Sequence, residues 1–453
     1  LMSYLARINY SLYDRYLFSV NGRVDGSSRF GGNNKYGFFP SGSVAWRISE
    51  EGFMEPVKAV INNLKLRTSY GFTGNTEIGV YESLATLGSN SWTIGNQLVS
   101  GFYPNRIPNP DLKWEKTGQF DIGFDLGLFN NRLRLTADYY YKKTTDLLYN
   151  VAIPSASGYD SMLKNIGSVQ NKGYELSIES DNLSGAFSWT TAFNISFNRN
   201  KVLELGGETY KDVGTYDDHL KTSDIRRLIV GQPIGVFYGY RFDGIFQNEA
   251  ECAQQTSSPS PIGVGLRRYK DLNGDGKIDA TNDREILGDA NPKFFGGMTN
   301  TFAYKGFELN VFLQYSYGNK IFNYNAMELE SPTGGQNVYQ DLVNRWTPTN
   351  PSNEYQKATT NRNNIVSDRF IEDGSFLKLK TVSLSYSFPK LNWKHIGGLR
   401  LYVTGQNLLT WTKYRGYDPE VSYRGASTLE AGEDFGGYPQ ARTFMFGIKL
   451  DIK

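Results

Sequence analysis

Between Asp271 and Asp283 the chain reads DLNGDGKIDATND, with oxygen-bearing side chains at Asp271, Asn273, Asp275 and Asp279 and glycine at 274 and 276. Oxygen ligands at every second position around a glycine turn wrap a calcium ion as the first nine positions of an EF-hand loop do, the seventh giving a backbone carbonyl. The twelfth position, normally a bidentate Glu, is Asn282, so Asp283 or Glu285 must close the shell from a loop longer by one or three residues. The expected calcium set is therefore Asp271, Asn273, Asp275, Lys277, Asp279 and Asp283. The same residues also suit an Asx-rich turn held by its own side-chain hydrogen bonds.

Catalysis has no comparable constellation, and no enzyme is expected. The two histidines, His219 and His395, stand far apart, and Cys252 is the sole cysteine. No GxSxG, HExxH or GxxxxGK[ST] string occurs. Asp217-Asp218 has the residue types of a glycosidase dyad, but reads better as a solvated loop cluster. Trp92, Tyr103, Tyr216, Trp346 and Tyr438 fall in connecting segments and have the chemistry to stack on sugar rings or peptide side chains. Loop packing accounts for them equally well.

The elements that carry these segments alternate with period 2. From Gly118 to Leu128 the even positions are Gly118, Phe120, Ile122, Phe124, Leu126 and Leu128, and the odd ones Gln119, Asp121, Gly123, Asp125 and Gly127. After a tight turn at Asn130-Asn131 the pattern resumes, with Leu133, Leu135, Ala137, Tyr139 and Tyr141 opposite Arg132, Arg134, Thr136, Asp138, Tyr140 and Lys142. This is one long hairpin. Strands of soluble domains run about 5 or 6 residues, whereas crossing a bilayer takes roughly 9 to 11. A sheet with one apolar and one polar face spans a membrane only when closed into a barrel. The alternative for this hairpin alone is the half-buried sheet of a large soluble sandwich.

Like runs extend over Tyr4–Leu12, Arg15–Asp25, Tyr36–Ile48, Asn63–Phe72, Gly173–Ser180, Phe187–Phe197, Phe294–Tyr304, Phe307–Tyr315, Phe376–Phe388, Leu399–Asn407 and Phe444–Ile452, about thirteen with the hairpin's two arms. Their connections alternate short and long, as periplasmic turns and extracellular loops do. The longest, 198–293, holds the calcium-like string. A short helix is expected near Val338 to Arg345. Trp46 and Trp189 fall near one rim and Trp114 and Trp411 near the other, as interfacial anchors would.

Composition agrees. With 48 basic and 46 acidic residues the net charge of +2 gives no field for nucleic acid. The 31 Tyr, 28 Phe, 7 Trp and 48 Gly suit aromatic girdles and glycine-rich loops. A mean hydropathy of -0.47 argues against membrane helices but not against a barrel with a polar inner face. Residues 1–453 read as one domain, starting in mid-pattern.

These strings resemble the C-terminal barrel portion of SusC/RagA-type TonB-dependent outer-membrane transporters. The resemblance is carried by YLFSVNGRVDGSSRFGGNNKYGFFPSGSVAWRISEE, LKLRTSYGFTGN, NPDLKWEKTGQFDIGFDLGLFNNRLRLTADYYYKKTTDLL, IGSVQNKGYELSIES, DLNGDGKIDATNDREILGDANPKFFGGMTNTFAYKGFELNVFLQYSYGNKIFN and LRLYVTGQNLLTWTKYRGYDPE, in that order along essentially the whole chain. It implies an all-β transmembrane antiparallel barrel of roughly 22 strands with a plugged lumen. About thirteen of those strands would lie here, and the N-terminal plug and first strands upstream. It also implies an outer-membrane location in a Gram-negative bacterium, contact with outer-membrane lipid, TonB acting through the upstream part, a SusD-like surface lipoprotein as lid, and an oligosaccharide or peptide as cargo. The expected function is TonB-dependent nutrient import; the rivals are a non-transporting extracellular glycan-binding β protein and a passive porin.

Overall fold

The computed structural model describes residues 1–159, 161–214, 225–330, 337–360, 364–388, 396–425 and 427–452. Thirteen strands form one antiparallel sheet, each paired with its neighbour in chain order. They are β1 (Met2–Leu12), β2 (Tyr16–Gly26), β3 (Tyr36–Arg47), β4 (Ile61–Asn75), β5 (Glu115–Leu128), β6 (Leu133–Thr145), β7 (Ser168–Leu183), β8 (Phe187–Glu204), β9 (Phe294–Tyr304), β10 (Phe307–Tyr317), β11 (Phe376–Ser387), β12 (Ile396–Thr412) and β13 (Thr443–Ile452). The chain divides into two compact units, 1–180 with 198–209 and 181–197 with 210–453.

In the first unit the register turns single-strand alternation into a continuous belt, because directly paired residues point to the same side of a sheet. One row across β1 to β7 reads Tyr10, Phe18, Val44, Thr68, Ile122, Tyr139 and Tyr174. The next reads Ile8, Val20, Gly42, Tyr70, Phe120, Tyr141 and Lys172. Among the described residues no second layer covers this face: Phe120, Ile122 and Phe124 are 37, 40 and 37% exposed. Burying such a surface in hydrocarbon rather than water gains about 25 cal/mol per Å².

The opposite side is polar and internally paired. Arg67 bridges Asp138 at 3.0 Å and Asp125 at 3.1 Å, while Gln119 donates to Asp121 at 2.8 Å. Gly123 makes room for the Arg67–Asp138 pair, since a Cβ there would stand 2.0 Å from Asp138 Oδ1. The turns follow their residues: Phe129, Asn130 and Asn131 have φ of 54, 58 and 59°, and the Lys305-Gly306 link has 45 and 88°. Two consecutive positive φ values match the right-handed twist of the flanking strands.

The second unit repeats the arrangement. Phe187, Tyr304, Phe307, Tyr386, Leu401 and Ile448 form one apolar row, and Trp189, Phe302, Leu309, Leu384, Val403 and Phe446 the next. The register shifts between Phe312 and Leu313 of β10 and again between Leu379 and Thr381 of β11. Its long connections have their own core of Ile225, Phe237, Phe322, Tyr324, Ala326, Met327, Val366 and Phe370.

Three expectations change. Trp114 is not an interfacial anchor: it is buried with Phe30 and Phe39, and its indole donates to the Lys35 carbonyl at 3.3 Å. The helix near 338–345 is a 3-10 turn, Gln340–Asn344. The connection from Thr73 to Lys113, read as a long loop, contains a two-stranded hairpin, Thr86–Ile94 with Gln97–Arg106. Its Gly95 and Asn96 have φ of 59 and 60°, the one local signal that could have revealed it.

Candidate functional site

Two kinds of surface could handle cargo: the polar side of the strands and the long connections at their ends. On the polar side of the second unit, Asn310 donates to Thr301 at 2.9 Å, Ser383 and Thr404 share a hydrogen bond of 2.8 Å, and Arg400 bridges Glu308 at 2.6 Å. Near the long-connection end, Lys378 bridges both Asp418 and Glu420 at 2.6 Å, and Gln314 donates to Glu420 at 2.8 Å. Burial pushes the Glu420 carboxyl up, but the hydrogen bonds from Lys378 and Lys380 outweigh it and hold the group below the usual carboxylate range. This side is hydrophilic, charged in both senses and preorganised by mutual pairing.

The connections of this unit are tied by buried ion pairs. Arg226 meets Glu433 at 3.0 Å with both side chains 1% exposed, and its guanidinium lies 4.3 Å from the centre of the Phe237 ring. Burial raises the Glu433 carboxyl above its ordinary value despite Arg226. Glu330 receives Arg369 at 2.7 Å and Arg415 at 3.3 Å. Beside it, Tyr339, Leu342, Arg345, Gln356 and Lys357 line a cavity of about 330 Å³. None of these residues was singled out from sequence, because their partners lie up to 207 positions apart.

The residues that were singled out are scattered. Trp92 and Tyr103 meet edge to face at 6.4 Å in the Thr86–Arg106 hairpin, both about two-fifths exposed. Trp346 donates its indole N–H to Gln247 at 3.0 Å and covers Gly265, where a Cβ would come within 2.5 Å of the ring. Tyr438 stands alone at 90% exposure. Tyr216 lies outside the described residues, as do Asp217, Asp218, His219 and His395. The structure thus brings two of the five together.

The calcium-like string folds as a tight turn. Asp271 accepts the backbone N–H groups of Gly274 at 2.6 Å and Gly276 at 2.7 Å, and Asp275 accepts that of Lys277 at 2.8 Å. Asn273 accepts that of Asp275 at 3.2 Å. Asp283 is fully buried and closes the loop by accepting from Leu272 at 2.8 Å and Asp279 at 2.9 Å. The hydrogen bonds to Asp279 from the backbone of Asn282 and Thr281 hold its carboxyl below the usual range. Among the described residues no three His, Cys, Asp or Glu side chains are gathered closely enough to hold a metal ion by themselves, and a calcium shell here would also use Asn273 and the Lys277 carbonyl. In this conformation the oxygens of Asp271, Asn273, Asp275 and Asp283 accept hydrogen bonds from N–H groups of the loop.

No helix among the described residues is long and apolar enough to cross a membrane. An uncovered apolar face on strands of 10 to 18 residues, backed by a polar face, is the construction of a membrane-spanning β-barrel. The family model described as TonB dependent receptor-like, beta-barrel matches residues 3–245. TonB-dependent receptor P3 of Formosa agariphila is 41% identical over 99% of this chain and 45% of its own length. TonB-dependent receptor SusC of Bacteroides thetaiotaomicron is 32% identical over 100% of this chain and 44% of its own. The solved structure of the RagAB peptide transporter superposes with a TM-score of 0.83 at 28% identity, over 99% of this chain and 47% of that one. The chain belongs to the TonB-dependent receptor β-barrel family and is of the SusC/RagA type. It spans about half the length of the relatives it matches.

Proposed function

We propose that the protein containing this chain imports oligosaccharides or peptides across the outer membrane of a Gram-negative bacterium. It draws energy from TonB and traps cargo beneath a SusD-like lipoprotein. The observation that carries this reading is the two-faced sheet: a largely apolar outward belt for lipid, and an inner side lined by paired polar groups such as Arg67, Asp125 and Asp138. Membership in the SusC/RagA type supports the import chemistry and both partners. Cargo would meet the long connections first.

Uptake of labelled oligosaccharides and peptides by cells carrying the full-length gene tests the proposal. Uptake that stops when TonB is deleted supports it. Uptake that persists without TonB favours a passive pore, and release of the protein from membranes without detergent favours an adhesin.

Calcium at residues 271–283 is a separate proposal, supported by the spacing of Asp271, Asn273, Asp275 and Asp279. Added calcium should raise the melting temperature, and Asp271→Asn with Asp275→Asn should abolish the rise. A rise that survives both substitutions, or none in the parent, overturns it.

A further inference from the structure

We infer that the outward face of β5 to β7 carries a binding site for the phosphate groups of an outer-leaflet glycolipid. The inference rests on the membrane orientation given under Proposed function, with the long connections outside. Pairing fixes which residues share the outward face: positions 116 to 128 of β5 by twos, 133 to 145 of β6, and 168 to 180 of β7. Those positions, with their counterparts on β1 to β4, carry three charges, all of them lysine: Lys116, Lys143 and Lys172. No acid shares the face. The outward positions of β9 to β13 carry no charge at all.

The three lysines are clustered. Lys143 lies opposite Gly118, two residues from Lys116, and Lys172 lies opposite Tyr141, two residues from Lys143. Neighbouring strands about 4.8 Å apart and a two-residue offset put successive Cα atoms roughly 8 Å apart, within the compass of one phosphorylated headgroup. All three sit at the long-connection end of their strands. Lys116 follows Glu115 at the start of β5 after the connection 76–114, Lys143 stands just before Thr144 and Thr145 at the end of β6, and Lys172 lies in the first part of β7, which starts at Ser168.

Their chemistry is poised for an anion. Lys116 Nζ stands 4.0 Å from the centre of the Phe72 ring, and none of the three has an ion-pair partner among the described residues. Nearby Lys113, by contrast, is paired with Asp146 at 2.9 Å. On the same face, Tyr70, Phe120 and Tyr141 share the row of Lys172 and Tyr139 and Tyr174 lie in the next, an aromatic surface against which acyl chains can pack. The Asn198 side chain meets Tyr140 and Asn171 on the polar side, so alternation turns Arg199 and Lys201 of β8 outward too. A cationic cluster on a face otherwise built for hydrocarbon matches an anionic headgroup above its own chains.

The test uses full-length protein from outer membranes, probed with diphosphoryl lipid A, the same lipid chemically dephosphorylated, and inorganic phosphate. The parent should retain diphosphoryl lipid A through purification and gain melting temperature from it, and from neither other probe. Lys116→Gln, Lys143→Gln and Lys172→Gln together should cut retention roughly tenfold or more, while the three Lys→Arg changes keep it. Equal retention by the glutamine variant overturns the inference. So does equal retention of the dephosphorylated lipid, which the belt alone would explain, or a response to inorganic phosphate alone. Cargo uptake in the same cells reports separately on the transport reading.

Discussion

Glu433 concentrates what single residues contribute here. Its carboxylate is sealed in a loop core and matched by Arg226, also fully buried. Two charges removed from water are stable only as a pair, and deleting one strands the other. Glu433→Gln should therefore destabilise the second unit's loops by about 3–5 kcal/mol, measured by denaturant unfolding followed at the buried aromatics. Replacing both Arg226 and Glu433 by apolar residues should cost much less. Glu420 gives a pH dependence of known sign. A carboxyl whose folded pKa lies below its unfolded value stabilises the fold above the unfolded value and ceases to as pH falls through the folded one. Amide exchange around residues 418–420 should accelerate as the pH drops below the ordinary carboxylate range, and Glu420→Gln should remove the effect.

At the scale of elements, the strands were readable because each one states its two environments in its own alternation. Phe120, Ile122 and Phe124 against Gln119, Asp121 and Asp125 need no knowledge of any partner, and all thirteen runs appear as paired strands. What lies between them was not readable in the same way. The ion pair of Arg226 with Glu433 and the packing of Phe237 on Phe322 depend on chain segments brought together from far apart, which no local period records. The hairpin at 86–106 was missed because LGSNSWTIG lacks alternation, although the Gly95-Asn96 turn marks it. Of the aromatics expected to meet cargo, the pattern could say that they sit in loops but not that Trp346 would be used to cover Gly265. The reading of β5 makes a sharp prediction. Ile122→Arg, aimed at hydrocarbon, should destabilise by about 2–4 kcal/mol. Gln119→Arg, three residues away on the polar side and beside Asp121, should change stability by no more than about 1 kcal/mol. Heat-modifiability in bilayers of defined composition would compare the two.

For the whole molecule, family membership and the two-faced sheet converge on one physical arrangement: strands whose outward residues meet lipid and whose inward residues meet water. Import, the lid and the lipid site all presuppose it. The most direct measurement is spin-label accessibility along β5, in full-length protein with Cys252 replaced by serine and single cysteines placed from 119 to 126. Labels at 120, 122 and 124 should collide with dissolved oxygen and not with a water-soluble nickel complex, while labels at 119, 121 and 125 should show the reverse, giving a period of two. Low accessibility to both reagents at 120, 122 and 124 would mean that a second protein layer covers them, and would contradict the membrane barrel.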